Sequence, residues 1–517
     1  MVLKKFVKYI GPGLMVSVSY MDPGNFSSSI ASAQFQYKLL FSLTISNIMA
    51  GFLQVLASKL GICTGQDLAF NCRLHLNSKL NILIYIFAEI SVAATDIAEI
   101  IGTAIAFNIL FGIPLLIGVL LTIIDVLFVI MAYRPNGPLI ILRVFEGIVS
   151  LLVFGTVICF TIELINVSPS TNWNSVFRGF LPSEEIFKDI KGLYLSAALL
   201  GSNLMPHSLY LGSGVVQSRL KAFDIKHGFY KVPIVKKKRS NKWCVIMDDD
   251  NNDDEDQQQQ QQQINYKPSI NAINSTMSYT IAELVVSLLT VALFVNAAIL
   301  IVAGTALSEP MDDDGDGDLE NPDLFTLHYL LSSHLSKTAG TVFALALLCS
   351  GLCGGTVVTI ASQQIMEGHA RFTMPAGLRR IITRIIAIIP CLIVVLISGR
   401  EGLSDILNAS QVALSLFLPF ISAPLIYFTC NKEIMKVQVS GKVNGQESIV
   451  LNDYQERLLN EDDDTIDEII DDDDTPRFKD MSNGTLTSTL AIIIWCIITF
   501  LNFWLLASIA LGKDVPL

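Results

Sequence analysis

Residues 11–30 read GPGLMVSVSYMDPGNFSSSI. Apolar and small residues lie on both sides of Asp22-Pro23-Gly24-Asn25, where a membrane helix should run unbroken. Pro23 has no backbone N–H to donate and Gly24 frees φ. The helix should unwind there and expose carbonyls beside Asp22 and Asn25. A bilayer tolerates such a break only where the freed backbone is buried in protein or lines a cavity. A second interruption, GSNLMPHS, occupies residues 201–208. Paired breaks in corresponding halves of a transporter point to its substrate site.

The rest of the chain supports a membrane setting. Of 517 residues, 51% are hydrophobic and 16% charged, with mean hydropathy +0.53. A soluble protein has roughly 25% charged residues. Apolar runs recur along the whole length, so the chain reads as an all-α polytopic protein in a lipid bilayer. The first apolar segment carries Asp22 and lacks a small-residue cleavage site, so no cleavable signal peptide is evident. Eleven spans are predicted, at approximately 8–36, 39–60, 80–108, 113–132, 138–163, 190–216, 278–304, 338–364, 379–398, 403–428 and 486–511. A further short helix is expected over Leu324–Ser333.

Loop charge gives the orientation. Lys4, Lys5, Lys8, Arg73, Lys79, Arg134, Arg219, Lys221, Lys226, Arg371, Arg379 and Arg380 fall on one side if the N-terminus is cytosolic. The net charge of −12 is concentrated in loops, because 30 of 47 acids lie within Asp248–Asp256, Glu309–Asp323 and Glu433–Asp480. The membrane body is therefore not acidic, and no basic surface points to nucleic acid. The chain divides into 1–216, a first repeat plus the sixth span; 217–277, a cytosolic loop with a Gln257–Gln263 tract; 278–430, spans seven to ten; 431–485, an acidic cytosolic loop; and 486–517, the last span. The two loops are too poor in apolar residues to fold alone and read as disordered spacers that regulators could bind. Asp312, Asp314, Asp316, Asp318 and Asp323 loosely follow a calcium-loop spacing, but flanking prolines and the missing Glu favour a diffuse cation-attracting fringe.

Chemistry concentrates at the breaks and on the third span. Asp22 is an acid within the membrane, a functional candidate by default. Asn25 adds a neutral oxygen. Pro206 frees carbonyls about one turn upstream, near Ser202. Met205 beside them offers a thioether, which suits a transition metal better than Mg²⁺ or Ca²⁺. His207 is suited either to ligation or to proton shuttling, and on a regular helix it points away from Met205. Glu89 and Asp96 are two turns apart on one face, with Glu99 near it, and read as a proton path. Arg379, Arg380 and Arg384, at the start of span nine, are candidate partners. Gln411 could reach a substrate at the midplane or bond a neighbouring helix, and Gln54 is a polar group within span two. Asp125, Arg143, Glu146 and Glu283 read as structural ion pairs or interface residues. The nine cysteines are scattered, and Cys349 and Cys353, four apart, read as helix-packing residues.

Three motifs together resemble the natural resistance-associated macrophage protein family: D-P-G-N at 22–25, A-T-D-I-A-E-I-I-G at 94–102 and M-P-H at 205–207. The stretch I-A-S-Q-Q-I-M-E-G at 360–368 is similar to the signature after that family's eighth helix. The resemblance implies a LeuT-like fold, with inverted repeats of helices 1–5 and 6–10 and unwound helices 1 and 6. It implies proton-coupled import of Mn²⁺ or Fe²⁺ into the cytosol, with no resident cofactor. Asp22, Asn25, Met205 and the carbonyl of Ser202 then match metal ligands, and Gln411 a glutamine that joins the metal in some states. The family usually has Ala at the position of Ser202; a carbonyl ligand survives that change, while a hydroxyl could add hydration or a ligand. His207, Glu89, Asp96 and one of the span-nine arginines match the proton route. Gly351-Leu352-Cys353 departs from the family's usual G-Q-S and leaves the role of span eight open. The acidic and Gln-rich loops are similar to those of fungal members, and a vacuolar or other internal membrane is favoured over the plasma membrane. The rival readings are a carrier of another small solute on the same fold, and a metal sensor signalling through its cytosolic loops. No nucleophile–base set suggests an enzyme.

Overall fold

The computed structural model describes residues 11–132, 139–230, 266–308, 322–370, 376–397, 399–440 and 477–511. Helix α1 (Pro12–Val18) ends at the first break and α2 (Pro23–Ser32) begins after it. There follow α3 (Leu40–Thr64), α4 (Leu68–His75), α5 (Ser78–Phe111), α6 (Leu115–Ala132) and α7 (Leu139–Val167). The short helices α8 (Trp173–Gly179) and α9 (Glu184–Lys188) lead to α10 (Ile190–Asn203). The second break separates α10 from α11 (Pro206–Val215), and α12 (Gln217–Lys226) comes next. Helix α13 (Ile270–Val286) passes through a π-turn at Ser287–Ala292 into α14 (Leu293–Ala306). The chain continues through α15 (Leu324–Leu330), α16 (Lys337–His369), α17 (Ala376–Ile397) and α18 (Gly399–Cys430). A two-stranded antiparallel hairpin of β1 (Lys436–Ser440) and β2 (Arg477–Asp480) precedes α19 (Thr485–Ala510).

The two breaks are built alike. Each second half-helix starts with a proline at its first position, Pro23 or Pro206, where the missing N–H costs nothing. The residue before a proline is pushed toward extended backbone. Asp22 (φ −79°, ψ 168°) and Met205 (φ −63°, ψ 125°) both adopt it. Chain direction resumes, but the ladder of backbone bonds does not pass through.

Seven helices among the described residues are long and apolar enough to cross a membrane: α3, α5, most of α7, the α13–α14 unit, α16, most of α18 and α19. The other four expected spans coincide with the two broken pairs, α6 and α17. Around the breaks, α16 packs along α5 and α7, while α18 packs along α5 and α10.

Segment boundaries differ from expectation at the two long loops. Residues 217–226 are helical, and the seventh span starts at Ile270 rather than 278. Ser269 caps that start, its Oγ accepting the Ala272 N–H at 3.1 Å. The buried Asp224 ties the two ends together: its carboxylate accepts from the Tyr266 hydroxyl (2.8 Å), the Ser269 N–H (3.1 Å) and the Ser269 hydroxyl (2.5 Å). In the 431–485 segment, Lys436 faces Asp480 across the β1–β2 hairpin. Residues 231–265 and 441–476, with their Gln-rich and acidic runs, lie outside the described residues, as do Asp312, Asp314, Asp316 and Asp318. Asp323 is committed locally, capping α15 through the Thr326 N–H at 2.6 Å and pairing with Arg400 at 3.2 Å.

Candidate metal centre

Asp22 and Asn25 are held by the start of α2. One oxygen of Asp22 accepts the Asn25 N–H at 2.8 Å, a helix cap. Its other oxygen, Oδ2, has no hydrogen-bond partner, nor have Oδ1 and Nδ2 of Asn25. Both residues are only 1% exposed. Buried polar atoms are nearly always satisfied, so a cluster of unsatisfied ones marks a place where something else binds.

The second break supplies Met205 and Ser202. Met205 is fully buried, packed with Ala94 of α5 and Leu414 of α18. Pro206 offers no N–H, so the Ser202 carbonyl one turn upstream lacks its usual donor. The Ser202 hydroxyl is occupied: it donates to the Leu199 carbonyl and accepts from Ser28 of α2, both at 3.1 Å. That leaves the carbonyl, rather than the hydroxyl, for an ion. Gln411 joins the two breaks. A side chain on Gly24 would collide with the Gln411 amide, and one on Gly201 with the Gln411 backbone carbonyl. Gln411 Nε2 donates to Ser410 Oγ at 3.2 Å, while Oε1 is unpartnered. Gln411 thus lies against the first break, and it is Gln54 that makes the helix-to-helix bond, to Ser208 at 2.7 Å.

A scaffold of neutral polar groups sets the two breaks in register. Asn296 of α14 donates to the Tyr20 carbonyl and to Asn203 Oδ1, each at 2.8 Å. Asn203 in turn donates to Ser46 of α3 at 2.8 Å. The Tyr20 hydroxyl meets Ser208 Oγ at 3.2 Å, and Ser208 donates to the Met205 carbonyl at 2.7 Å. Ser350 of α16 donates to the Met21 carbonyl. This gives the eighth span a contact with the first break that its motif did not reveal. None of Tyr20, Ser28, Asn203, Ser208, Asn296 or Ser350 stands out in the sequence, because single Ser, Asn or Tyr residues in apolar helices carry no periodic signal.

The proposed proton residues separate into groups. His207 is fully buried, its Nδ1 3.3 Å from Thr95 Oγ1 of α5 and its Nε2 without a partner. Both residues reach α5, Met205 at Ala94 and His207 at Thr95, so the opposite facing expected of a regular helix does not hold across this break. Asp96 and Arg384 form a buried ion pair at 3.0 Å. Arg384 therefore faces α5; the side chains of Arg379 and Arg380 lie outside the described residues. Glu99 is buried against Gly354 of α16, and Glu89 is half-buried a few turns along α5. Two of the four residues read as structural ion pairs or interface residues, Glu283 and Glu146, have partners here. Glu283 accepts the N–H groups of Gly11 (2.9 Å), Gly13 (2.8 Å) and Leu14 (3.3 Å), closing the start of α1. Glu146 pairs with Arg219 at 3.2 Å beside it. The side chains of Asp125 and Arg143 lie outside the described residues.

A family model described as natural resistance-associated macrophage protein-like matches residues 13–450. The manganese transporter SMF2 of Saccharomyces cerevisiae is 50% identical over 539 residues, covering 100% of this chain and 90% of that protein. The iron transporter SMF3 of the same yeast is 44% identical, covering 99% and 98%. The divalent metal cation transporter MntH of Brucella suis is 37% identical, covering 84% and 82%. The crystal structure of the Eremococcus coleocola manganese transporter with an aromatic bis-isothiourea compound superposes with a TM-score of 0.70 at 27% identity, covering 100% and 90% of the two chains. The LeuT-like architecture follows from this match.

Proposed function

The chain belongs to the natural resistance-associated macrophage protein family, and from that premise we propose that it carries divalent transition-metal ions, Mn²⁺ or Fe²⁺, into the cytosol together with protons. Its relatives carry transporter names, and it is a secondary transporter rather than an enzyme. The observation that carries the reading is the set of unsatisfied buried atoms at the first break, Asp22 Oδ2 and Asn25 Oδ1, with the unpartnered Gln411 Oε1 of the amide that lies on Gly24. Hard oxygens with one soft sulfur select against ions that insist on a full water shell, so Mg²⁺ is rejected. Asp22, Asn25, Met205 and the Ser202 carbonyl hold the ion, and Gln411, lying on Gly24, joins them as the helices rock. Protons enter near Asp22, pass His207 and leave along α5 through Asp96, Glu99, Glu89 and the arginines of α17. Rocking of the broken helices against the rest alternates access.

The basic loops support a cytosolic N-terminus, and the low-complexity loops support a vacuolar or other internal membrane. Tracer Mn²⁺ uptake by the purified protein in proteoliposomes tests the function, with and without an imposed pH gradient. Uptake that responds to the gradient and vanishes in Asp22→Ala supports it. Full uptake by Asp22→Ala would falsify the site, and uptake indifferent to the gradient removes the proton.

A further inference from the structure

Glu163 stands apart from the other acids of the membrane helices. It is fully buried, and neither carboxyl oxygen has a hydrogen-bond partner. Asp96 has Arg384, Glu146 has Arg219 and Glu283 has three N–H groups. Glu163 has no such match among the described residues, and it bonds to no residue assigned to the metal centre or the proton route.

Among the described residues, no positive charge acts on it. Helix α7 packs against α16, α14 and α1. Helices α14 and α1 contain no charged residue. Helix α16 presents the Cys349 thiol to α7 near Gly155, and its charged residues, Lys337, Glu367 and His369, sit at its two ends. On α7 itself, Cys159 is one turn before Glu163, within electrostatic reach of both Glu163 and Cys349. Phe160, between them, meets Phe26 of α2 edge to face at 5.1 Å. Glu163 therefore sits one turn beyond an aromatic contact with the residue that follows Asn25.

A buried carboxylate with neither hydrogen bond nor counter-charge is among the most costly groups a protein can hold, so a cation must accompany it. Among the described residues no three His, Cys, Asp or Glu side chains converge to hold a metal ion. A proton needs only one oxygen. We propose that Glu163 is a proton-binding site of the transport cycle, separate from the acid–arginine path of α5 and α17. It takes a proton from water when α7 and α16 part on one face, and keeps it when they close. The inference rests on the proton-coupled reading above.

Proteoliposomes holding the full chain test it, with Mn²⁺ tracer and a pH-sensitive dye in the lumen. Wild-type uptake without any proton movement overturns the coupled reading and this proposal with it. Where wild type is coupled, Glu163→Gln, which mimics the protonated shape, should still move Mn²⁺ but lose part of the acid stimulation and carry fewer protons per metal ion. Glu163→Asp should keep both. Unchanged stimulation and stoichiometry in Glu163→Gln overturn the proposal alone, leaving the coupled reading standing. Infrared difference spectra across pH give a second readout. A protonated-carboxyl stretch should vanish in Glu163→Gln and, should that variant fail to fold, shift in Glu163→Asp. An unmoved band overturns the assignment.

Discussion

The Ser28 hydroxyl donates to the Ser202 hydroxyl at 3.1 Å, joining the half-helix after the first break to the half-helix before the second. Two consequences follow. The serine side chain is spent on holding helices together, and the carbonyl of the same residue is left for the ion.

Ser202→Ala should therefore be mild. It removes one buried hydroxyl pair, worth about 1 kcal/mol, so Mn²⁺ affinity should change only a few-fold. Equilibrium Mn²⁺ binding to the purified variant checks this. A loss as large as that of Asp22→Ala would make the hydroxyl itself a ligand.

Met205→Ala should change selectivity more than rate. With the thioether gone, the site keeps its oxygens, and Ca²⁺ should compete about 10-fold better while Mn²⁺ uptake falls less. Competition of Ca²⁺ and Mg²⁺ against Mn²⁺ tracer measures the effect. Unaltered competition would show that sulfur does not discriminate here.

The Asp96–Arg384 pair predicts asymmetry between single and double variants. Arg384→Met strands a buried carboxylate and should cost about 3–5 kcal/mol, whereas Asp96→Asn with Arg384→Met should recover much of it. Thermal unfolding in detergent reads the stability. Asp96→Asn alone should also slow or uncouple proton flux while leaving some Mn²⁺ flux.

Asp67, in the connection between α3 and α4, gives a pH-dependent stability. Burial pushes its carboxyl up from the usual 3.8 to about 6, against the opposing Phe70 N–H, with Glu367 adding to the push. The folded state then holds this proton more tightly than the unfolded state does. The penalty for losing it is absent below about pH 4 and grows as pH rises toward and past about 6. Asp67→Asn keeps an oxygen for the cap at Phe70, so it should stabilise the protein above pH 6 and have no effect below pH 4. Melting temperatures at the two extremes decide it.

The breaks were legible in the sequence because proline and glycine interrupt an apolar run, and a bilayer makes any interruption informative. Asp22, Asn25 and Met205 could be singled out on that ground, and side-chain chemistry then suggested the kind of ion. The scaffold was not legible. Asn296 bridges Tyr20 and Asn203 from 276 and 93 residues away, and nothing local distinguishes it from other polar residues in apolar helices. Arg384 could not be separated from Arg379 and Arg380 for the same reason: the choice belongs to the packing of α17 on α5. Glu163 was not legible because a single acid near the end of an apolar run carries no signal of its burial.

The Asp224 clasp has a practical meaning for how such chains vary. Tyr230 and Tyr266 touch edge to face at 5.1 Å, so the polypeptide departs and returns at one doorway. Lengthening or shortening the sequence between two ends already pinned costs only about 0.6 kcal/mol per doubling of length. A change in the length of the Gln257–Gln263 run should therefore be nearly neutral for the helices that the Asp224 clasp closes. Residues 231–265 become the natural berth for a fluorescent reporter or an affinity tag.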